Sequence, residues 1–223
     1  MNIVLYSMEN KQPIFTRFFR QGIHHKQDLI RGFYMLYAFI AGLLALFAYW
    51  TTQNINRAAM YEVGTTSGQV ALIIFCVVIT PGILRRFGIR NMMTSFLMVI
   101  RRHLGITMFA LAFLHYASIR LFPIIFGGVS PVLPPPLFEF MGVAALYALT
   151  PIFVTSNDVS VRKLGPWWRR IHSMVYFIVW LIFAHVALQR ISVWSIVIGI
   201  FAVLEVISLI TVAIRHTKTQ DTA

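Results

Sequence analysis

Six runs of mostly apolar residues divide this chain, at about 30–50, 69–86, 103–122, 139–155, 171–189 and 192–214. A helix that crosses a bilayer needs roughly 20 such residues, so each run is a candidate span. In hydrocarbon the backbone N–H and C=O groups must be paired within the segment, and for runs of this length that means helix. The expected fold class is an all-α membrane protein, a six-transmembrane-helix bundle. Composition agrees: of 223 residues 58% are apolar and 12% charged, and the mean hydropathy is +0.75. A soluble domain carries about 45–50% apolar and about 25% charged residues. A soluble globule, a disordered chain and a disulfide scaffold are thereby excluded, the last because Cys76 is the only cysteine.

The second and fourth runs are short, and each holds a Thr-Pro step, Thr80-Pro81 and Thr150-Pro151. Proline inside a span frees a carbonyl and is tolerated where neighbouring groups re-satisfy the backbone. No low-complexity tract or repeat interrupts the series. The expected organisation is a cytoplasmic N-terminal segment (1–29), a six-helix transmembrane domain (30–214) and a cytoplasmic tail (215–223).

A formal charge of +12 resembles a nucleic-acid signal, but its distribution points elsewhere. Sixteen of the 19 Lys and Arg residues lie in the N-terminal segment through Arg31, between Arg85 and Arg102, between Arg162 and Arg170, or in the tail; the others are only Arg57, Arg120 and Arg190. Cytoplasmic loops carry such an excess, so both termini are expected in the cytoplasm and no nucleic-acid partner is expected. The first 29 residues are too charged for a signal peptide. Within them, Ile14-Phe15-Thr16-Arg17-Phe18-Phe19-Arg20 reads as an interfacial helix or a frayed end. Outside, residues 51–68 read as a polar loop, and 123–137 as a stiff, Pro-rich apolar loop that lies on the bilayer or docks a partner.

Four histidines sit inside or at the ends of runs: His103, His115, His172 and His185. Ionisable side chains in a span are costly and face the bundle interior, which makes each a functional candidate; the alternative for each is a buried hydrogen-bonding residue. Arg101-Arg102 and Arg169-Arg170 mark the cytoplasmic ends of the third and fifth runs. His103 and His172 therefore share one depth, and His115 and His185 share another about 18–20 Å deeper at 1.5 Å per residue. Histidines facing each other at equal depth suit a metal, and haem iron takes axial imidazoles. The spacings turn about 120° (103 to 115) and 220° (172 to 185) on an ideal helix, so neither pair lies on one stripe. Glu205, in the sixth run, either relays protons, contacts a quinone or bonds a neighbouring helix. No βαβ segment follows a Gly-rich loop, so these residues carry no nicotinamide-binding unit.

Several segments resemble the ferric-reductase-like transmembrane domain family. They are Ser67-Gly68-Gln69-Val70-Ala71-Leu72 with Ile79-Thr80-Pro81, Arg101-Arg102-His103-Leu104-Gly105-Ile106 with His115-Tyr116, and Arg162-Lys163-Leu164-Gly165-Pro166-Trp167-Trp168-Arg169-Arg170-Ile171-His172 with Tyr176 and His185. Within the family the likeness is to the haem-binding membrane subunit of a periplasmic methionine-sulfoxide reductase system. It implies a six-helix b-type cytochrome of the cell inner membrane, with haem b, one or two, and His115, His172 and His185 as ligands. It implies a molybdenum-containing periplasmic reductase as acceptor, and a flavin (FMN) in supply. His103 departs from the motif, which has an apolar residue there; it is expected to partner His172 on depth alone.

The expectation is an electron-transfer subunit fed from a cytoplasmic flavin reductase or quinol, with electrons entering at the His172 layer and leaving at the His185 layer. Its basic inner surface would attract an acidic donor and anionic membrane lipids. The alternatives are a stand-alone ferric or oxygen reductase and, in another class, a transporter or structural membrane protein.

Overall fold

The computed structural model describes residues 26–53, 57–125, 128, 130 and 134–220. Nearly all of these residues are helical, and none of them lies in a strand. The long elements are α1 (Lys26–Gln53), α2 (Arg57–Arg86), α3 (Met92–Tyr116), α4 (Leu137–Val154), α5 (Asp158–Leu164), α6 (Pro166–Ser173), α7 (Val175–Gln189) and α8 (Val193–Gln220). A π-helical turn, Ala117–Leu121, carries α3 on into Phe122–Ile125. Six stretches are long and apolar enough to cross a membrane: Ile30–Phe47, Arg57–Arg86, Met92–Ile125, Leu137–Val154, Pro166–Gln189 and Val193–Arg215. This is a multi-pass membrane protein.

The helices form a closed ring in the order α2, α3, α4, α7, α8, with α8 packed back against α2 and α1 outside it against α3. Leu72, Phe75, Ile79, Met108, Leu149, Ile178, Ile198 and Ala202 fill the interior. Lipid tails are as apolar as leucine, so close packing rather than water exclusion must hold such a ring together, and small residues let helices approach. Gly64 of α2 lies against Ser118 and Ile119, and Gly199 of α8 against the Phe183 ring. Large apolar side chains such as Tyr147, Phe177 and Ile200 cover the outer surface.

Helix ends follow local chemistry. Asn91 starts α3 with a capping box: its side chain accepts from Thr94 N at 2.9 Å, and Thr94 Oγ1 accepts from Asn91 N at 3.0 Å. Asn157 caps α5 in the same way, accepting from Ser160 N at 2.8 Å. Gly165 has φ +50°, a conformation that disfavours side chains, and Pro166 follows at the first position of α6. The Lys-Leu-Gly-Pro run is therefore the corner between α5 and α6. At the far end of α2, Arg215 donates to the carbonyls of Arg86 (3.2 Å) and Phe87 (3.4 Å).

Three boundaries differ from the sequence expectation. Residues 57–68, read as external loop, are the first turns of α2. Their polar side chains bond their own helix, Thr65 Oγ1 to Tyr61 O at 2.9 Å and Ser67 Oγ to Gly64 O at 3.0 Å. At 1.5 Å per residue α2 is about 45 Å long, enough for its polar start to project beyond an apolar layer of about 30 Å. The tail is helical as far as Gln220, and the fourth gap contains α5 and α6. Both Thr-Pro steps lie inside helices. The expected interfacial segment at 14–20 lies outside the described residues, as do 126–127, 129 and 131–133 of the Pro-rich loop, whose ends belong to the helices on either side.

Candidate functional site

The ring brings two of the four histidines together. His115, in the last turn of α3, and His185, in α7, have ring centroids 6.1 Å apart and planes inclined at 73°. Each is held by its neighbouring helix. His115 Nδ1 lies 2.8 Å from Gly64 O of α2, and His185 Nδ1 lies 2.7 Å from Phe138 O of α4. A carbonyl only accepts, so both Nδ1 atoms carry the hydrogen and donate it. In the neutral rings both Nε2 atoms are left with a free lone pair. This is the orientation that ligating histidines take when a carbonyl fixes the tautomer.

Both seats are built alike. Four residues beyond each carbonyl the supporting helix has a glycine, Gly68 after Gly64 and Gly142 after Phe138. A Cβ on Gly68 would lie 2.7 Å from His115 Nδ1, and one on Gly142 2.6 Å from His185 Nδ1. The rings occupy the volume that a side chain would fill. Next to the first seat, Ser118 in the π turn is fully buried, and its Oγ has no hydrogen-bond partner. π turns recur at functional sites.

The donor set can be tested against a metal. Two imidazoles on one metal at about 2.0 Å, each nitrogen about 1.1 Å from its ring centre, would have centroids roughly 6.2 Å apart. The observed 6.1 Å fits. Among the described residues no cluster of three or more His, Cys, Asp or Glu side chains forms a metal cage. A metal at this pair would therefore take its other ligands from a group that brings its own, as a porphyrin does.

The other two histidines are placed differently. His172, in α6, stacks on Trp168 with centroids 4.1 Å apart, and its Nε2 lies 3.2 Å from Thr155 Oγ1. Thr155 Oγ1 donates to Pro151 O at 2.7 Å, so it accepts from His172 Nε2–H, leaving Nδ1 free. Trp168 Nε1 donates to Thr155 O at 3.0 Å and completes the knot. His103 turns to α1, stacked on Phe33 at 4.9 Å with Nδ1 2.9 Å from Tyr37 Oη. No ring contact joins His103 to His172 among the described residues, in contrast to the pairing expected from depth. The 120° turn on α3 is the reason: with His115 facing the ring interior, His103 faces away from it.

Charged groups cross the ring at both ends. Glu205 of α8 is buried and bonds the neighbouring helix, its carboxylate 2.6 Å from Arg86 Nη2. Arg86 also donates to Ser208 Oγ at 2.8 Å and to Tyr176 Oη at 3.3 Å. At the other end Arg120, in the π turn, meets Glu139 of α4 at 2.7 Å, next to the Phe138 carbonyl that holds His185. Arg102 reaches Asp158 of α5 at 2.8 Å. Sequence reasoning named the histidines and missed Gly68 and Gly142 as seats; glycine inside a helix, where it costs about 1 kcal/mol against alanine, was the available signal.

A closed ring with two inward imidazoles on carbonyl anchors defines a class: membrane bundles that hold a functional group between facing helices. The chain belongs to the family described as ferric reductase like transmembrane component, whose profile matches residues 67–184. Three curated relatives are each named protein-methionine-sulfoxide reductase heme-binding subunit MsrQ. The one from Agrobacterium fabrum is 28% identical over 107 residues, 47% of this chain and 50% of the relative. The one from Rhizobium meliloti is 37% identical over 84 residues, 35% of this chain and 37% of the relative. The one from Brucella anthropi is 35% identical over 79 residues, 34% of this chain and 36% of the relative. The chain thus spans half or less of the length of these relatives. No solved structure matches it.

Proposed function

We propose that this chain is a b-type cytochrome subunit that carries electrons across the inner membrane, with His115 and His185 as the residues that would hold a haem b. The observation that carries the reading is the pair itself: centroids 6.1 Å apart, with both Nδ1–H groups held on main-chain carbonyls. The bound iron would supply one-electron chemistry. The chain's own part is to fix both imidazoles, to strengthen them as donors through the Nδ1–H bonds, and to surround them with apolar side chains. Ser118 Oγ is placed to serve a polar edge of the group. His172 is a candidate for a second, inner site, where it would present Nδ1 or exchange its Thr155 contact.

The names of the relatives support a methionine-sulfoxide reductase as acceptor. The basic bias of one set of gaps supports cytoplasmic termini and a cytoplasmic donor, a flavin reductase using FMN or a quinol. Electrons would then pass from the His172 side to the His185 side. The family's description favours a second reading, a stand-alone ferric or oxygen reductase.

The test is spectroscopic. The purified chain should show a Soret band and about one haem or more per protein, and His115→Ala and His185→Ala should each abolish the low-spin component. A protein with no Soret band, or variants with unchanged haem content, would overturn the assignment. Oxidation of the reduced protein by a ferric chelate or by oxygen at turnover rates, with none by a methionine-sulfoxide reductase, would favour the second reading.

A further inference from the structure

The family profile begins at residue 67 and so leaves α1 out. α1 is also the least integrated long helix: among the described side chains of its span Ile30–Phe47 none is buried, and Tyr34, Met35, Phe39 and Leu46 are more than 60% exposed. It touches the ring through α3. His103, by contrast, is 8% exposed, and what covers it is α1. Its ring stacks on Phe33 at an interplanar angle of 14° and lies 6.0 Å from the Tyr37 ring and 6.1 Å, edge to face, from Tyr34.

The hydrogen bonds are reciprocal. Tyr37 Oη donates its one hydrogen to the carbonyl of His103 at 3.1 Å, which leaves the same oxygen to accept from Nδ1–H at 2.9 Å. A hydroxyl in hydrocarbon has few other partners, and an unpaired one is costly, so the two groups hold each other. Thr107 Oγ1 also donates to His103 O at 3.1 Å, which fixes the main chain at this point.

We propose that His103 is a docking residue rather than a metal ligand: with Tyr37 and Phe33 it forms the clasp that holds the first span against the ring. The proposal rests on the α1 contacts and not on the haem reading. It makes α1 an accessory helix, held by this clasp, and by Phe47 against Phe122 at 6.0 Å, to a body that carries the His115–His185 pair without it.

The experiment uses the full-length purified protein with Cys76→Ala, and spin labels at Met35→Cys on α1 and Ile89→Cys between α2 and α3. Label distances are measured beside haem stoichiometry and the optical spectrum. The parent and His103→Gln, which keeps a hydrogen-bonding side chain but is a poor haem ligand, should give one narrow distance distribution. His103→Leu and Tyr37→Phe should broaden and shift it, with haem content and Soret position unchanged. If His103→Leu loses haem while Tyr37→Phe does not, His103 is a ligand and the proposal fails. An unchanged distance distribution in both variants overturns it equally. If His103→Leu does not fold, Tyr37→Phe, which removes one oxygen atom, carries the test.

Discussion

Gly142 and His185 share one small volume: a Cβ on the glycine would lie 2.6 Å from the histidine's Nδ1, closer than such atoms pack. The ring therefore lies flush on α4, and this is what brings Nδ1 within 2.7 Å of Phe138 O. Gly68 does the same for His115 on α2. Two helices thus use one device, a carbonyl to anchor the ring and a glycine four residues on to admit it.

Alanine at either glycine should push its imidazole away from the anchoring carbonyl. Loss of a ligand's outer hydrogen bond typically costs about 10- to 100-fold in metal affinity. Gly68→Ala and Gly142→Ala should each weaken haem retention by that order, and raise the midpoint potential of what remains, because a less polarised imidazole is a weaker donor. Potentiometric titration with haem quantification is the measurement; wild-type values for both variants would show that the seats do not position the rings.

The 73° between the two imidazole planes has its own signature. A low-spin ferric haem held by imidazoles inclined this steeply would have a strongly anisotropic signal. The oxidised protein should give a single large-g EPR feature at low temperature. A well-resolved rhombic three-line spectrum would mean parallel rings, contrary to this geometry.

Much of this was legible in the residues. The apolar runs locate all six spans, and the depth argument pairs His115 with His185 because both helices start at twin arginines. Depth failed for His103 and His172, since it says nothing of azimuth: the 120° on α3 turns His103 outward. Between His172 and His185 the helix only tightens, at Met174, whose N–H bonds Ile171 O at 3.1 Å. The start of α2 at Arg57 was hidden because its first turns have polar side chains. Glycine seats were hidden for a different reason: only a neighbouring helix gives them meaning.

The buried bridge between Arg86 and Glu205 links the C-terminal end of α2 to the middle of α8. Glu205→Ala would strand the guanidinium beside Ser208 and Tyr176, and breaking such a pair from one side costs about 3–5 kcal/mol. The double replacement Arg86→Met with Glu205→Leu should recover part of that loss, since the bridged charges go together and only Arg101, whose charge also faces Glu205, loses a partner. Unfolding in mixed detergent should place the double variant between wild type and Glu205→Ala; equal stability of all three would make the bridge energetically silent.

If the basic face receives an acidic donor, haem reduction by a soluble flavoprotein reductase should depend on salt. Steering of this kind raises association rates by about 10- to 1,000-fold, and at about 1 M salt the screening length falls to about 3 Å. In inside-out vesicles the rate should drop at least tenfold between low salt and 1 M. A rate insensitive to salt, or faster in right-side-out vesicles, would remove both the docking proposal and the proposed direction.

Tyr37 and its partner are separated by 66 residues of chain. A ribosome adding about 5–20 residues per second needs roughly 3–13 s to make that stretch. Through this interval the helix that the first span will clasp does not yet exist. The first span can wait only if lipid is an acceptable neighbour on every side, and the exposed Tyr34, Met35, Phe39 and Leu46 are the side chains of a helix suited to waiting. A photocrosslinker at Phe33, which ends stacked on His103, should therefore capture lipid in chains arrested before residue 100, and only longer chains should trade that lipid for α3.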